Sequence, residues 1–291
     1  MSRFFSWLPS IVFAVLLCLF SSAFGRGPML KLSERTHAYL DEPSPLETNS
    51  FGANAGMIIG DDGVAVIDAL GSTEEAQAFL SEIRALTDKP IRYLILTHHH
   101  KDHSGGASVF KAAGAEIIAH ADCSEELSGP GIVLPDKIFS GQTMELPLKG
   151  VTIRLLAATP SHSRGSIIVH LPEEKTLFSG DLLFTDYHPY LGEGDIVAWR
   201  AKLDEAVGLE AEKIVPGHGP LSSNRDLMEM KSYLAQFDTL ATEIVSHGKN
   251  IDQAYRALVT TLPKRSRSES LIMSSLRMKY FSSNDNRTPQ K

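Results

Sequence analysis

The sequence predicts an α/β protein with helices packed against sheet, and three observations carry that expectation. Short β-branched and apolar runs end in turn residues, helical periodicity appears between them, and from about residue 57 to 119 strand and helix alternate instead of segregating.

Between His37 and Asp68 the pattern is strand, loop, strand, turn, strand. Met57-Ile58-Ile59 and Val64-Ala65-Val66-Ile67 flank Gly60-Asp61-Asp62-Gly63, the composition of a hairpin turn. Over residues 72–88 the period becomes helical: Ala76, Phe79, Leu80, Ile83 and Leu86 share a face, and Ser72 with Glu75 has capping-box spacing. A buried strand at 91–96, a His-rich loop, a short helix at 107–113 and a strand at 116–119 follow. Residues 122–148 carry Gly, Pro and little periodicity, so they read mainly as surface loop, with Cys123 a spectator in it. A hairpin comes next, 166–171 turning through Pro172-Glu173-Glu174 into 176–179. Asp195 is the expected N-cap of a helix that aligns Ile196, Trp199, Leu203 and Ala206. Lys213-Ile214-Val215 is a short strand, and a longer helix at 224–245 buries Leu227, Met230, Leu234, Phe237, Ala241 and Ile244.

Composition bounds the function. With 291 residues, 43% of them apolar and 22% charged, the chain can bury one substantial core. A formal charge of −7 leaves no basic excess for nucleic acid, so a small-molecule substrate is the expected partner. Residues 1–25 read as a signal peptide: Arg3, an apolar run at 11–20, then Ser21-Ser22-Ala23-Phe24-Gly25. The run is short for a membrane span, which leaves cleavage or retention as an anchor open. A secreted or periplasmic protein without stable membrane insertion after cleavage is expected. Cys18 lies in that segment and Cys123 stands alone, which excludes a disulfide framework and a Cys-rich zinc site. No pattern specifies an oligomeric state.

The chemistry concentrates in His98-His99-His100-Lys101-Asp102-His103, directly after the strand at 91–96 and before Gly105-Gly106. Imidazole nitrogen and carboxylate oxygen are zinc-type donors. Three further candidates sit at strand-to-loop junctions: His162 in Thr159-Pro160-Ser161-His162, Asp181 after Ser179-Gly180, and His218 in Pro216-Gly217-His218-Gly219-Pro220. Junctions opening on one sheet edge converge, so His98, His100 and His162 would form one site and Asp102, His103 and His218 a second, with Asp181 bridging both. His99 is expected to pack. Asn54, His188 and Tyr190 are candidates for the substrate mouth, with a turn role for Asn54 and loop packing for the other two as alternatives. Lys264, Arg265 and Arg267 read as a solvated basic face.

In that order and spacing, His98-x-His100-x-Asp102-His103, His162, Asp181 and His218 resemble the signature of the metallo-β-lactamase superfamily, and Asp68 at the end of Val64–Ile67 resembles its first motif. The resemblance runs from about Asn49 to Pro220. It implies a four-layer αββα sandwich over residues 26–262 with the metals at one edge, leaving 263–291 as a C-terminal helix and disordered tail. A bridging Asp181 is similar to the glyoxalase II and lactonase-type branches, although the basic glutathione-binding set of glyoxalase II has no match here. The implied cofactors are two zinc ions, with iron or manganese as other occupants. The implied activity is hydrolysis of a carbonyl ester, thioester, lactone or lactam by metal-bound hydroxide, oriented by Asp102 as catalytic residue, with Asp68 fixing a ligand imidazole from behind. Two other classes stay open: a mononuclear iron oxidoreductase of sulfur compounds, similar to persulfide dioxygenases, and a metal-binding accessory protein of an exported redox system.

Overall fold

The computed structural model describes residues 29–41, 52–129 and 131–281. The expected signal peptide and the tail from 282 lie outside them. β1 (Leu30–Lys31), β2 (Thr36–Tyr39), β3 (Ala55–Ile59), β4 (Val64–Ile67), β5 (Ile91–Ile95), β6 (Glu116–His120) and β7 (Lys137–Phe139) form one sheet in chain order. Pairing is antiparallel up to β4 and parallel from there to β7. A second sheet runs β12-β11-β10-β9-β8, built from β8 (Thr143–Leu148), β9 (Val151–Ala157), β10 (Ile167–Leu171), β11 (Thr176–Phe184) and β12 (Lys213–His218).

Strands with two apolar faces need two partners, and the packing supplies both. Ala65, Ile67, Tyr93 and Ile95 meet Ile153, Leu155, Val169 and Phe178 of the other sheet, while Val64, Val66 and Leu94 turn the opposite way. That outer face is covered by α1 (Thr73–Leu86), α3 (Ala107–Ala112) and α4 (Ala121–Glu126), with α2 (Lys101–Ser104) a single turn inside the His-rich segment. The second sheet is covered by α5 (Ile196–Val207), α6 (Asn224–Ser246), α7 (Ile251–Thr261) and α8 (Ser270–Leu276). The result is the expected αββα sandwich. Among the described residues no helix is long and apolar enough to cross a membrane.

Caps account for the helix starts. Ser72 Oγ accepts from the Glu75 amide at 3.2 Å and Asp195 Oδ1 from the Ala198 amide at 3.0 Å. Trp199, fully buried, anchors α5 by donating Nε1–H to the Leu182 carbonyl at 2.9 Å.

The reading of 122–148 as mainly loop needs correction, since α4, β7 and β8 occupy much of it. α4 starts on His120, whose Nδ1 accepts from the Asp122 amide at 3.3 Å, and histidine is not a residue the usual capping preferences flag. β8 is an edge strand, where Pro147 interrupts no sheet ladder, and only Leu146 and Leu148 turn inward. Cys123 is accordingly a buried core residue of α4, its thiol pushed up to about 12 by burial. The sequence reading also missed α7, which starts in a capping box between Asn250 and Gln253. α8 falls inside the segment expected to hold a C-terminal helix.

Candidate metal centre

The site is assembled where strands end. β4 is followed at once by Asp68, which adopts left-handed backbone with φ 59°, a conformation aspartate tolerates better than most residues. Its carboxylate accepts from the Thr97 amide at 2.8 Å and the Thr97 hydroxyl at 2.7 Å, and lies 2.8 Å from His103 Nδ1. Asp68 therefore ties the end of β5 to α2 and turns His103 Nε2 inward. α2 itself reverses the chain after His100: the Ser104 hydroxyl donates to the carbonyls of His99 and His100, both at 3.0 Å.

Five imidazoles and two carboxylates then converge. His100 Nδ1 lies 3.1 Å from His98 Nε2 and 2.9 Å from His162 Nε2. Asp181 Oδ2 is 3.6 Å from His98 Nε2 and 3.3 Å from His162 Nε2, whereas its Oδ1 is 3.0 Å from His103 Nε2 and 3.3 Å from His218 Nε2. Asp102 Oδ2 lies 3.3 Å from His218 Nε2. The seven expected ligands fall into two groups, His98, His100, His162 and Asp181 in one, Asp102, His103 and His218 in the other, and His99, His100 and Glu193 make a third cluster of possible ligands beside them. Asp181 joins the first two through its two oxygens.

These donors fit divalent cations. Asp181 Oδ1 is buried and accepts no hydrogen bond, and lone-pair nitrogens of neighbouring imidazoles approach as they would around a shared positive charge. At the second group the carboxylates outweigh burial. Burial disfavours a charged His218, but Asp181 and Asp102 outweigh it and raise the imidazole to about 9, and His103 is held well above its ordinary value by Asp181, Asp68 and Asp102. At the first group burial dominates: His162 is lowered to about 3 and His98 well below the usual range, so both present lone pairs. Behind the ligands, Phe184 stacks on His218 at 4.9 Å and Trp199 meets His162 edge-on at 5.2 Å, which makes a dry wall.

The structure gives two mouth candidates other tasks. Asn54 is 3% exposed, accepts from the Asp41 amide at 2.9 Å and donates to the carbonyls of Pro216 and Gly219 at 2.9 and 2.8 Å. It clamps the first sheet to the turn that carries His218. Asn54→Ala is expected to destabilise the fold by about 3 kcal/mol, because each buried group left unpaired forfeits ~1–3 kcal/mol. Urea unfolding of the metal-free protein measures this; unchanged stability with altered substrate preference would return Asn54 to the mouth. His188 is buried with Nδ1 2.7 Å from the Tyr233 hydroxyl, and burial together with Arg265 lowers it to about 4. It packs instead of lining an opening.

Tyr190 does flank the ligands, its ring centroid 6.1 Å from that of His100 and 6.5 Å from that of His162. His99 stays out of the two groups, its Nε2 3.6 Å from Glu193. Glu193, which the sequence reading passed over, contacts His100 Nε2. Arg265 is no solvated cation: it stacks over Tyr233 at 4.5 Å and donates to the carbonyls of Phe184 and Tyr187 at 2.8 and 3.1 Å. It pins the C-terminal segment to the loop leading to Tyr190.

The family model described as Metallo-beta-lactamase superfamily matches residues 49–218. The chain is 27% identical over 166 residues to 2,4-dinitroanisole O-demethylase subunit alpha of Nocardioides sp., covering 55% of this chain and 51% of that protein. It is 32% identical over 206 residues to the acyl-coenzyme A thioesterase MBLAC2 of Homo sapiens, covering 57% and 72%. A metallo-beta-lactamase from Pontibacter korlensis superposes with a TM-score of 0.63 at 19% identity, covering 71% of this chain and 98% of that one, a likeness of fold. Against the first curated relatives, this chain spans about half their length.

Proposed function

Because the chain belongs to the metallo-β-lactamase superfamily, we propose that it is an exported dinuclear zinc hydrolase cleaving a carbonyl ester, thioester, lactone or lactam by attack of water on the carbonyl carbon. The observation that carries this reading is the division of seven donors into two groups joined by Asp181. Each group offers few protein ligands, which leaves coordination positions for water and substrate. A zinc pair bound there would lower the pKa of water toward ~7 and polarise a carbonyl oxygen.

The chain's own residues supply the rest. Asp102 is the partly exposed carboxylate of the set, 29% accessible at its side chain, so it can meet water from the open side. Burial works against its charge, yet His103 and His218 keep its pKa low, and the ionised oxygen accepts a hydrogen bond from the attacking water and aligns it. Asp181 has a buried, central position and serves as a fixed bridge. Tyr190 stands beside His100 and His162, where its ring can flank a bound substrate. The apolar wall of Phe184 and Trp199 excludes water from behind, which strengthens every charge interaction in front of it.

The acyl-coenzyme A thioesterase relative favours a thioester as the first substrate to try. The absence of sulfur among the converging donors fits zinc with nitrogen and oxygen ligands, and manganese or iron compete for the same set. Export is part of the proposal and is supported by the composition of residues 1–25. The test is metal analysis of the purified protein followed by turnover on a panel of thioesters, esters, lactones and β-lactams. Two zinc per chain with hydrolysis of one class is the expected result. A single redox-active iron, or a full metal complement with no turnover on any member, would overturn the reading.

A further inference from the structure

His100 faces two ways, and the two faces are chemically different. Its Nδ1 points at His98 Nε2 and His162 Nε2, 3.1 and 2.9 Å away, in the first ligand group. Its Nε2 points outward and meets the carboxylate of Glu193. A carboxylate only accepts, so this contact requires the proton of a neutral His100 on Nε2 and leaves the Nδ1 lone pair directed into the site. Without that acceptor the proton is free to occupy Nδ1, where it would stand in the place of a cation.

Glu193 is held for this task. It lies in the segment between β11 and α5, where the Gly194 amide donates to the Leu191 carbonyl at 3.2 Å and the Asp195 amide to the Ser161 carbonyl at 2.8 Å, one residue from His162. Lys279 donates to the Gly194 carbonyl from the C-terminal segment. The carboxylate is therefore tied through its neighbours to the loop of a ligand it does not touch. His99 Nε2 lies 3.6 Å from the same oxygen, beyond hydrogen-bond reach, and does not compete for it.

We propose that Glu193 is a positioning residue for the metal centre, fixing the tautomer and ring orientation of His100 so that Nδ1 is offered to the ion of the first group. The inference rests on the metal reading above and goes beyond it, since Glu193 belongs to none of the seven converging ligands.

The experiment uses the full chain, stripped of metal and titrated with zinc in competition with a chromophoric chelator. Glu193→Ala is expected to weaken the first-bound ion about 10–100-fold, the usual consequence of losing a carboxylate behind a ligand histidine. Glu193→Gln, whose amide oxygen still accepts but carries no charge, should fall between the two. Long-range nitrogen-proton correlation should show His100 protonated at Nε2 in the wild type and mixed in the alanine variant, a change that a purely structural role would not produce. Melting of the metal-free protein should be alike in all three. Unchanged zinc affinity in Glu193→Ala, or a third zinc per chain lost only in that variant, would overturn the proposal, the latter by making Glu193 a ligand. A wild type that binds no zinc would instead bring down the metal reading itself.

Discussion

Asp181→Ala is expected to reduce turnover of the best substrate at least a thousandfold, about 4 kcal/mol of barrier, and to leave neither ion tightly held. The size follows from position. Its two oxygens reach both ligand groups, each within 3.0–3.6 Å of two imidazole nitrogens. Removing it takes the shared anion from a buried pocket and leaves five imidazoles to hold two cations with Asp102 alone. Asp102→Ala provides the contrast: it should empty the second group, preserve the first, and lower thermal stability in the presence of zinc far less than it lowers activity. Metal content by atomic emission and turnover on the same samples check both. An Asp181→Ala protein that retains two tight zinc ions would remove the bridge from the mechanism; an Asp102→Ala protein with normal turnover would remove Asp102 from its catalytic role.

Where the sequence spoke clearly, it did so because local chemistry and global packing coincide. Val64–Ile67 is a continuous apolar run and the strand at 91–96 is apolar except for Arg92, both are largely buried on two faces, and each is followed at once by a residue that begins the site, Asp68 and Thr97. The ligands were legible because four of them crowd the segment just after β5 and His218 closes β12, whereas Asp181, expected at a strand-to-loop corner, lies inside β11 at an irregularity in its pairing with β12. What was obscured depends on partners far away in the chain. Asn54 sits in a Gly-Ala-rich stretch that looks like any turn until the carbonyls of Pro216 and Gly219 arrive. His188 and Arg265 both look functional by residue type, yet each is consumed by Tyr233 and the backbone around it. Glu193 has no motif at all, only a glycine on either side, and its contact with His100 spans 93 positions. Local pattern cannot report such pairs.

Gly217→Ala is expected to be among the most damaging single-methyl additions in this protein, although its backbone is not in the left-handed region. A β-carbon at 217 would lie 2.0 Å from Asp181 Oδ1, 2.8 Å from the Gly180 carbonyl carbon and 2.9 Å from the Asp181 amide nitrogen. Two of these are backbone atoms of the adjacent parallel strand, so no rotamer change can make room. β11 and β12 would have to separate at the point where one carries Asp181 and the other His218. Overpacking of this kind costs about 1–3 kcal/mol, and here the displacement also moves the bridging carboxylate away from His103 and His218. Stability and zinc affinity should therefore fall together. Gly141→Ala serves as the control, since its nearest neighbour would be 3.7 Å away, and it should alter stability by no more than ~0.5 kcal/mol. Chemical unfolding of the metal-free variants measures the first effect, and chelator competition measures the second. Wild-type zinc affinity in Gly217→Ala would mean that the carboxylate of Asp181 can relocate without consequence, and the close approach of β12 would then have no part in building the centre.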